Sequence, residues 1–534
     1  MPLQKISIGR YITVFLGIFI TLLITYSPAV LGYYAHLDDY SYFWGLERKD
    51  FSDIQLYHLK KYSDLSDCGR FLGIFVFFVL DSIVQSVRDL NIVRFFNIFN
   101  FSLGGLVCFY WMDKYLSNTL MALFFSVLIF TLPPSEAIVS YSIGFFVASA
   151  LFPASCAAVL ASRATLVKSF WKLMINPYAI GAVTLLLYSL MTYQTAAMFY
   201  WVFVALYILS ARFEKIKEFY TPIGNLFCIG LSAMVIYGII VKLLQGIYIS
   251  KAYYIYNPTY ITTDYFRKLK WFLQAPLTDS LNLWNIFPTK MFAISVSIFI
   301  VVTYLFFLYR SVKNYYLGHE NIEVIKKKIT GLFLFLILIF LSFLPNLLAI
   351  YDFPWYRSCL ALTTMILIIL LWAVHQWVSL LVPSQQRLVM TIILSLSCIW
   401  GTVQAYHNVL YYRVIPSSLE FEYIKTTLQE HDLTKFQTIR FICPQRPLIA
   451  PSIRYDEFGV LTTYYPSSHP YVIKCILTEL GLHPRFIYSR KFLKYSYHGG
   501  FYYIHITSNQ ANEPEPLRMG KTLLIDMTKL YKND

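Results

Sequence analysis

The stretch FLGIFVFFVLDSIVQSV, residues 71–87, decides how this chain is threaded. It is apolar enough for a bilayer, but Asp81 interrupts it and Arg88 and Asp89 follow directly. A helix needs about 20 apolar residues to cross a hydrocarbon core roughly 30 Å thick, and this run falls short. Counting it as a span would also invert every later loop against the distribution of Lys and Arg. We read it as an amphipathic helix lying in the membrane interface, and the topology follows from that choice.

Around this stretch the composition is that of a bilayer protein. Of 534 residues, 57% are apolar and 14% charged, against roughly 25% charged in an ordinary soluble domain. A soluble enzyme, a disordered chain and a nucleic-acid module are excluded. The net charge of +15 comes mostly from Lys and Arg that punctuate apolar runs, as basic flanks do at a cytoplasmic membrane face. The 44 Tyr and 44 Phe suit aromatic belts at the headgroup level. The eight Cys form no C-x-x-C pair, so no zinc or redox framework is read from them.

Runs of span length number about eleven, near 11–31, 92–110, 118–133, 142–162, 177–192, 195–211, 222–245, 291–309, 329–350, 358–376 and 388–405. The first follows Lys5 and Arg10 and lacks a small-residue cleavage site, so it reads as an anchored helix rather than a removed signal peptide. Lys5, Arg10, Lys114, Arg163, Lys168, Lys172, Arg212, Lys215, Lys217, Arg310, Lys313 and Lys326 to Lys328 fall on one side, which assigns that side and the N-terminus to the cytoplasm. With an odd number of spans, loops 32–91 and 246–290 and the tail lie outside. Lys60, Lys61, Lys268 and Lys270 oppose this, but loops so long weigh less in the rule.

The chain thus divides into a membrane domain, 1–410, and a tail, 411–534. The tail carries β-rich runs, TIRFIC (438–443), FYYIHI (501–506) and TLLID (522–526), with a helical YVIKCILTELG (471–481) between them. A small α/β domain on the outer side is expected. Cys443 and Cys475 are either bridged in an oxidising compartment or two buried thiols.

Chemistry-bearing residues collect in the outer segments. HLDDYSYFW (36–44) sets Asp38 beside Asp39 at the membrane rim. Two adjacent carboxylates near low dielectric repel, so one can hold a raised pKa and act as a base near neutrality; an acidic turn capping a helix is the plainer alternative. DCGRFLG (67–73) presents Arg70, whose planar fork suits a phosphate or whose stem anchors the interface. Glu136 in TLPPSEAIVSY (131–141), Tyr193 and Gln194 in SLMTYQTAAM (189–198), and Asp352 and Arg357 in IYDFPWYRS (350–358) share the same side. Charges at membrane depth are costly and usually face a cavity, although each of these alone could cap or anchor a helix. Arg267, Lys268, Lys270 and Lys290, spread among Tyr and Trp, read as anchors on anionic lipid. No phosphate-binding glycine loop, dinucleotide fingerprint, H-E-x-x-H or G-x-S-x-G occurs.

One N-terminal span, an outer loop opening on an acidic pair, a Gly-Arg before an apolar helix, a Pro-rich turn with an acid and a Tyr-Gln together resemble the membrane-embedded GT-C glycosyltransferases. Within them the pattern is most similar to the bacterial serotype-converting glucosyltransferases that decorate lipopolysaccharide O-antigen. The resemblance covers residues 1 to about 410. It departs from the family at Phe71, where Pro commonly follows the Gly-Arg, and in the tail, which matches no motif.

The resemblance implies an α-helical polytopic GT-C fold in which Asp38 or Asp39 takes the proton of the acceptor hydroxyl and Arg70 meets the donor phosphate. Glu136, Tyr193 and Gln194, with His36 of the same outer loop, would line the sugar and acceptor pocket; Arg357 joins the phosphate site from its own charge and place. It further implies transfer of a sugar, most often glucose, from polyprenyl phosphate to O-antigen or another envelope glycan, at the periplasmic side of a bacterial inner membrane. A flippase, a polyprenyl-phosphate sugar synthase and membrane lipids are the expected partners, and nucleic acid is not. A lipid-linked donor fits because nucleotide sugars are made in the cytoplasm, whereas the acids face outward. No cofactor is assigned; a divalent metal at the paired carboxylates lacks a third ligand. Rival readings are an O-antigen polymerase or ligase, a lipid-linked sugar flippase, which needs midplane charge and paired broken helices, and a structural scaffold.

Overall fold

The computed structural model describes residues 8–44, 69–210, 216–248, 261–433, 438–443, 457–465, 468–481, 495–498, 501–505 and 522–531, apart from positions 117, 166, 168, 288, 320, 353 and 354. Lys5, Lys60, Lys61, Lys168, Arg212 and Lys215, used above for sidedness, lie outside the described residues.

The described chain is mostly helical. Among the described residues seven helices are long and apolar enough to cross a membrane: Ile8–Thr25, Val87–Lys114, Ser142–Arg163, Tyr220–Leu244, Lys290–Tyr316, Leu360–Val378 and Pro383–Gln429. An eighth candidate is the pair Thr119–Thr131 and Pro133–Ser140, bent by 62°. The bend has a local cause. Leu132 is extended (ψ 151°) because it precedes Pro133, and neither Pro133 nor Pro134 can donate to the preceding turn.

The other three expected spans form shorter or more charged helices. Residues 177–192 form Pro177–Thr192, and 195–211 fall in the apolar stretch Gln194–Leu209. The stretch 329–350 lies in Ile322–Leu341, which carries Lys326 to Lys328 in its first turns and breaks before Leu344–Leu348. The decisive stretch at 71–87 forms the helix Phe71–Ile83, 13 residues long and too short to cross.

Contacts sort the helix ends into two groups. At one end Arg10 pairs with Asp113 at 2.8 Å and the Asn225 amide holds the carbonyls of Thr165 and Val167. At the opposite end lie the acidic pair, Arg70, Glu136, Tyr193 and Arg357.

The last long helical stretch, Pro383–Gln429, continues past position 410. It opens into a π turn over Leu410–Val414. Pro416 explains this, since it has no N–H for the carbonyl four residues back, Tyr412. That carbonyl instead accepts from the Gly459 N–H at 2.5 Å, which stitches the tail to the helix.

Beyond it, Thr438–Ile442 (β1), Tyr495–His498 (β2), Phe501–His505 (β3) and Thr522–Asp526 (β4) form one sheet, in the order β2-β3-β1-β4. β1 runs parallel to β4 and antiparallel to β3. The helix His469–Glu479 is the one read from 471–481. Cys443 and Cys475 are both free thiols, and the Cys443 Sγ donates to the Thr463 carbonyl at 2.8 Å.

Candidate functional site

The acidic pair sits on a two-turn helix, Leu37–Trp44, and the tail holds that helix in place. The buried Glu420 carboxylate accepts from the backbone of Thr462 at 2.9 Å and of Thr463 at 2.8 Å. The Thr462 hydroxyl in turn accepts from the Leu37 N–H at 3.1 Å. Adjacent helical residues point about 100° apart, so Asp38 and Asp39 face different surroundings.

Asp39 is fully buried. One carboxylate oxygen accepts from the Ser142 N–H at 3.0 Å, and the other from the His36 N–H at 3.3 Å and Arg94 at 3.4 Å. Burial pushes its carboxyl above the usual range, while Arg94 and the two backbone donors pull the other way. Arg94 also donates to the Tyr34 carbonyl at 2.8 Å and stacks on that ring at 3.7 Å. Asp39 therefore has both oxygens engaged and ties its helix to the long helix Val87–Lys114.

Asp38 is the accessible acid, its side chain about a quarter exposed, and it accepts from Arg357 at 2.7 Å. Arg357 lies on the short turn Tyr356–Ser358 between spans. Its Nε is 3.4 Å from Glu457, and its guanidinium stacks over Trp355 at 4.5 Å and Tyr141 at 5.5 Å. Burial works against its charge, but Asp38, Tyr193 and Glu457 outweigh that cost and hold it well above the ordinary range. The guanidinium is a fixed cation.

Arg70 is delivered by a glycine. Gly69 has a φ of 73°, which turns the chain into the Phe71–Ile83 helix, and a Cβ there would strike the Tyr237 hydroxyl. Arg70 stacks on the Tyr193 ring at 4.1 Å and donates to Gln194 at 3.3 Å. Gln194 donates to the Tyr237 hydroxyl at 2.6 Å, which donates to the Gly69 carbonyl at 3.3 Å. Arg70, Tyr193 and Gln194 thus form one cluster.

His36 lies with its ring 5.1 Å from Tyr141 and its Nδ1 3.3 Å from the Ser417 hydroxyl. Glu136 lies on the short helix Pro133–Ser140, whose Ala137 packs with Tyr356 beside Arg357. It is buried against the Asn408 amide at 3.0 and 3.3 Å, and Asn408 is oriented by Gln404 at 2.9 Å. One expected role is corrected: Lys268 is no lipid anchor. It is buried, bonds Asp352 at 2.8 Å and lies 4.3 Å from the Trp271 ring, because Arg267 and Lys268 together neutralise that acid.

Four residues escaped the sequence reading. Arg94 and Arg413 are basic residues inside apolar helices, and the rule that such charges mark sites was the signal available. Tyr141 and Glu457 gave no signal at all. Tyr141 is set by the Asn97 amide, which holds the carbonyls of Ile138 at 3.3 Å and Tyr141 at 3.0 Å. It then carries guanidiniums from two other elements, Arg357 and Arg413.

The arrangement supplies one accessible carboxylate, four arginines and several aromatic faces at one end of the helical body. It can accept a proton at Asp38 and hold an anion at guanidinium groups. Among the described residues no three His, Cys, Asp or Glu side chains cluster as metal ligands. Neither a scan against protein-family models nor a search of curated proteins finds a match to this chain.

Proposed function

We propose that this chain is an inverting glycosyltransferase that moves a sugar, glucose being the first donor to try, from polyprenyl phosphate to O-antigen or another cell-envelope glycan. The observation that carries the reading is the 2.7 Å contact between Asp38 and Arg357, a partly exposed acid held against a fixed cation. In this reading about eleven segments of a bacterial inner-membrane protein cross the bilayer, the N-terminus is cytoplasmic, and the acid pair and the α/β tail are periplasmic.

The chemistry needs few groups. A phosphate ester is a good leaving group that wants a cation rather than an acid. The donor phosphate draws Arg357 onto itself and leaves Asp38 to take the proton of the acceptor hydroxyl. The acceptor oxygen forms its bond to the anomeric carbon, the carbon–oxygen bond to phosphate breaks, and the electron pair leaves on the phosphate. One displacement inverts the carbon. Base catalysis contributes about 10² to 10⁴ in rate, and oriented cations at the leaving phosphate add a comparable factor.

The test is incubation of the purified protein with polyprenyl phosphate glucose and O-antigen. Sugar transfer by the natural chain and loss of transfer in Asp38→Asn are expected. Glycan chain growth, lipid translocation without transfer, or full activity in Asp38→Asn would each overturn the reading.

A further inference from the structure

The Arg413 side chain is 1% exposed, and its three guanidinium nitrogens make no hydrogen bond among the described residues. What it meets is aromatic: Tyr141 at 4.2 Å and Phe458 at 5.7 Å. A buried charge without an anion is costly, and stacking on rings repays only part of that cost. Such a group is either a burden on the fold or a site whose anion comes from outside.

Its setting favours the second. Tyr141 carries Arg413 and Arg357 together, so two cations share one ring. Arg357 already touches two carboxylates, Asp38 and Glu457. The segment that brings Glu457 to Arg357 also lays Phe458 over Arg413. It is held by the Gly459 N–H on the Tyr412 carbonyl, the one that Pro416 leaves without its helical donor. Gly459 has a φ of 72°, a conformation suited to glycine, so the turn is built into the sequence. The same π turn that frees the carbonyl contains Arg413.

We propose that Arg413 and Arg357 form an anion site for a phosphate ester, covered in this state by Glu457 and Phe458. The Glu457 carboxylate takes the place of the phosphate on Arg357, and ligand entry displaces the 457–459 turn and gives Arg413 its anion. The inference deepens the proposed function, because it names the groups that hold the donor phosphate. Its measurement is binding, which does not depend on transfer.

The full chain in lipid nanodiscs is titrated with farnesyl phosphate, farnesol and inorganic phosphate, following affinity and the ligand-induced rise in melting temperature. Farnesyl phosphate binds and farnesol does not. Arg413→Met melts no lower than the natural chain without ligand, since it removes a buried unpaired charge, but loses about ten- to a hundredfold in farnesyl phosphate affinity, the worth of a charged hydrogen bond. Glu457→Gln gains affinity several-fold because a competing charge is gone. Natural affinity in Arg413→Met would overturn the site, and unchanged affinity in Glu457→Gln would overturn the cover. Should Arg413→Met not fold, Arg413→Lys keeps the charge without the fork and is expected to weaken binding; full affinity there counts against the site. Inorganic phosphate binding as tightly as farnesyl phosphate would make the ligand a free phosphate and remove the lipid from the proposal. Binding without sugar transfer would leave the site standing and the glycosyltransferase reading refuted.

Discussion

Arg357 donates to Asp38 at 2.7 Å across 319 residues of sequence. This contact joins the short helix Leu37–Trp44 to the turn Tyr356–Ser358, far along the chain, and it separates Asp38 from its neighbour Asp39, which is committed to Arg94.

The two acids should therefore fail differently. Asp38→Asn is expected to lose about 10² to 10⁴ in transfer rate with only a small fall in melting temperature, because Glu457 still faces the Arg357 guanidinium. Asp39→Asn leaves Arg94 buried with its charge uncompensated, a loss of about 3 to 5 kcal/mol in stability. Parallel measurement of transfer and melting on both variants checks this; equal melting curves for the two would contradict it.

Gly69→Ala should impair Arg70 without touching it. The φ of 73° resists a side chain, and the added Cβ meets the Tyr237 hydroxyl. Transfer should fall along with the Arg70 contact to Gln194, while Tyr237→Phe in the same background recovers part of the loss by removing the obstructing oxygen. No recovery would mean that backbone strain alone is responsible.

Pro416→Ala restores a helical donor for the Tyr412 carbonyl, which now serves Gly459. Losing a hydrogen bond of about 1 kcal/mol should speed amide exchange at Gly459 about fivefold. Hydrogen exchange followed by mass spectrometry over the peptide containing 457–460 reads this directly, and an unchanged rate would show that the π turn does not depend on proline.

The tail should loosen in acid. His469 is buried and hydrogen-bonded to the Thr463 carbonyl at 2.6 Å, and burial pushes its pKa down to about 4. The unfolded tail binds this proton near the ordinary histidine value of about 6.5, so between the two values the unfolded state holds more protons and stability rises with pH. Lowering the pH from 7 to 5 should cost about 2 kcal/mol. Thermal melts across that range should slope accordingly in the natural chain and much less in His469→Gln.

Some of this was legible in the chain itself. Long apolar runs report a helix that must satisfy its own backbone in lipid, whatever its neighbours are, so spans such as Leu360–Val378 are readable from hydropathy alone. The shortness of Phe71–Ile83, and the cluster of Arg70 with Tyr193 and Gln194, fell on residues the pattern had already singled out.

What composition and spacing fixed is the class of protein and which segments carry charge at the ends of apolar runs, because hydrophobicity and the placement of charged residues are properties of single segments. Only packing decided the partners. Which aspartate stays open, that Arg413 has no anion among the described residues, and that Glu457 covers Arg357 depend on contacts between residues far apart in the chain. Such pairings arise from burial and from donors stranded at breaks such as Pro416, and no local pattern encodes them.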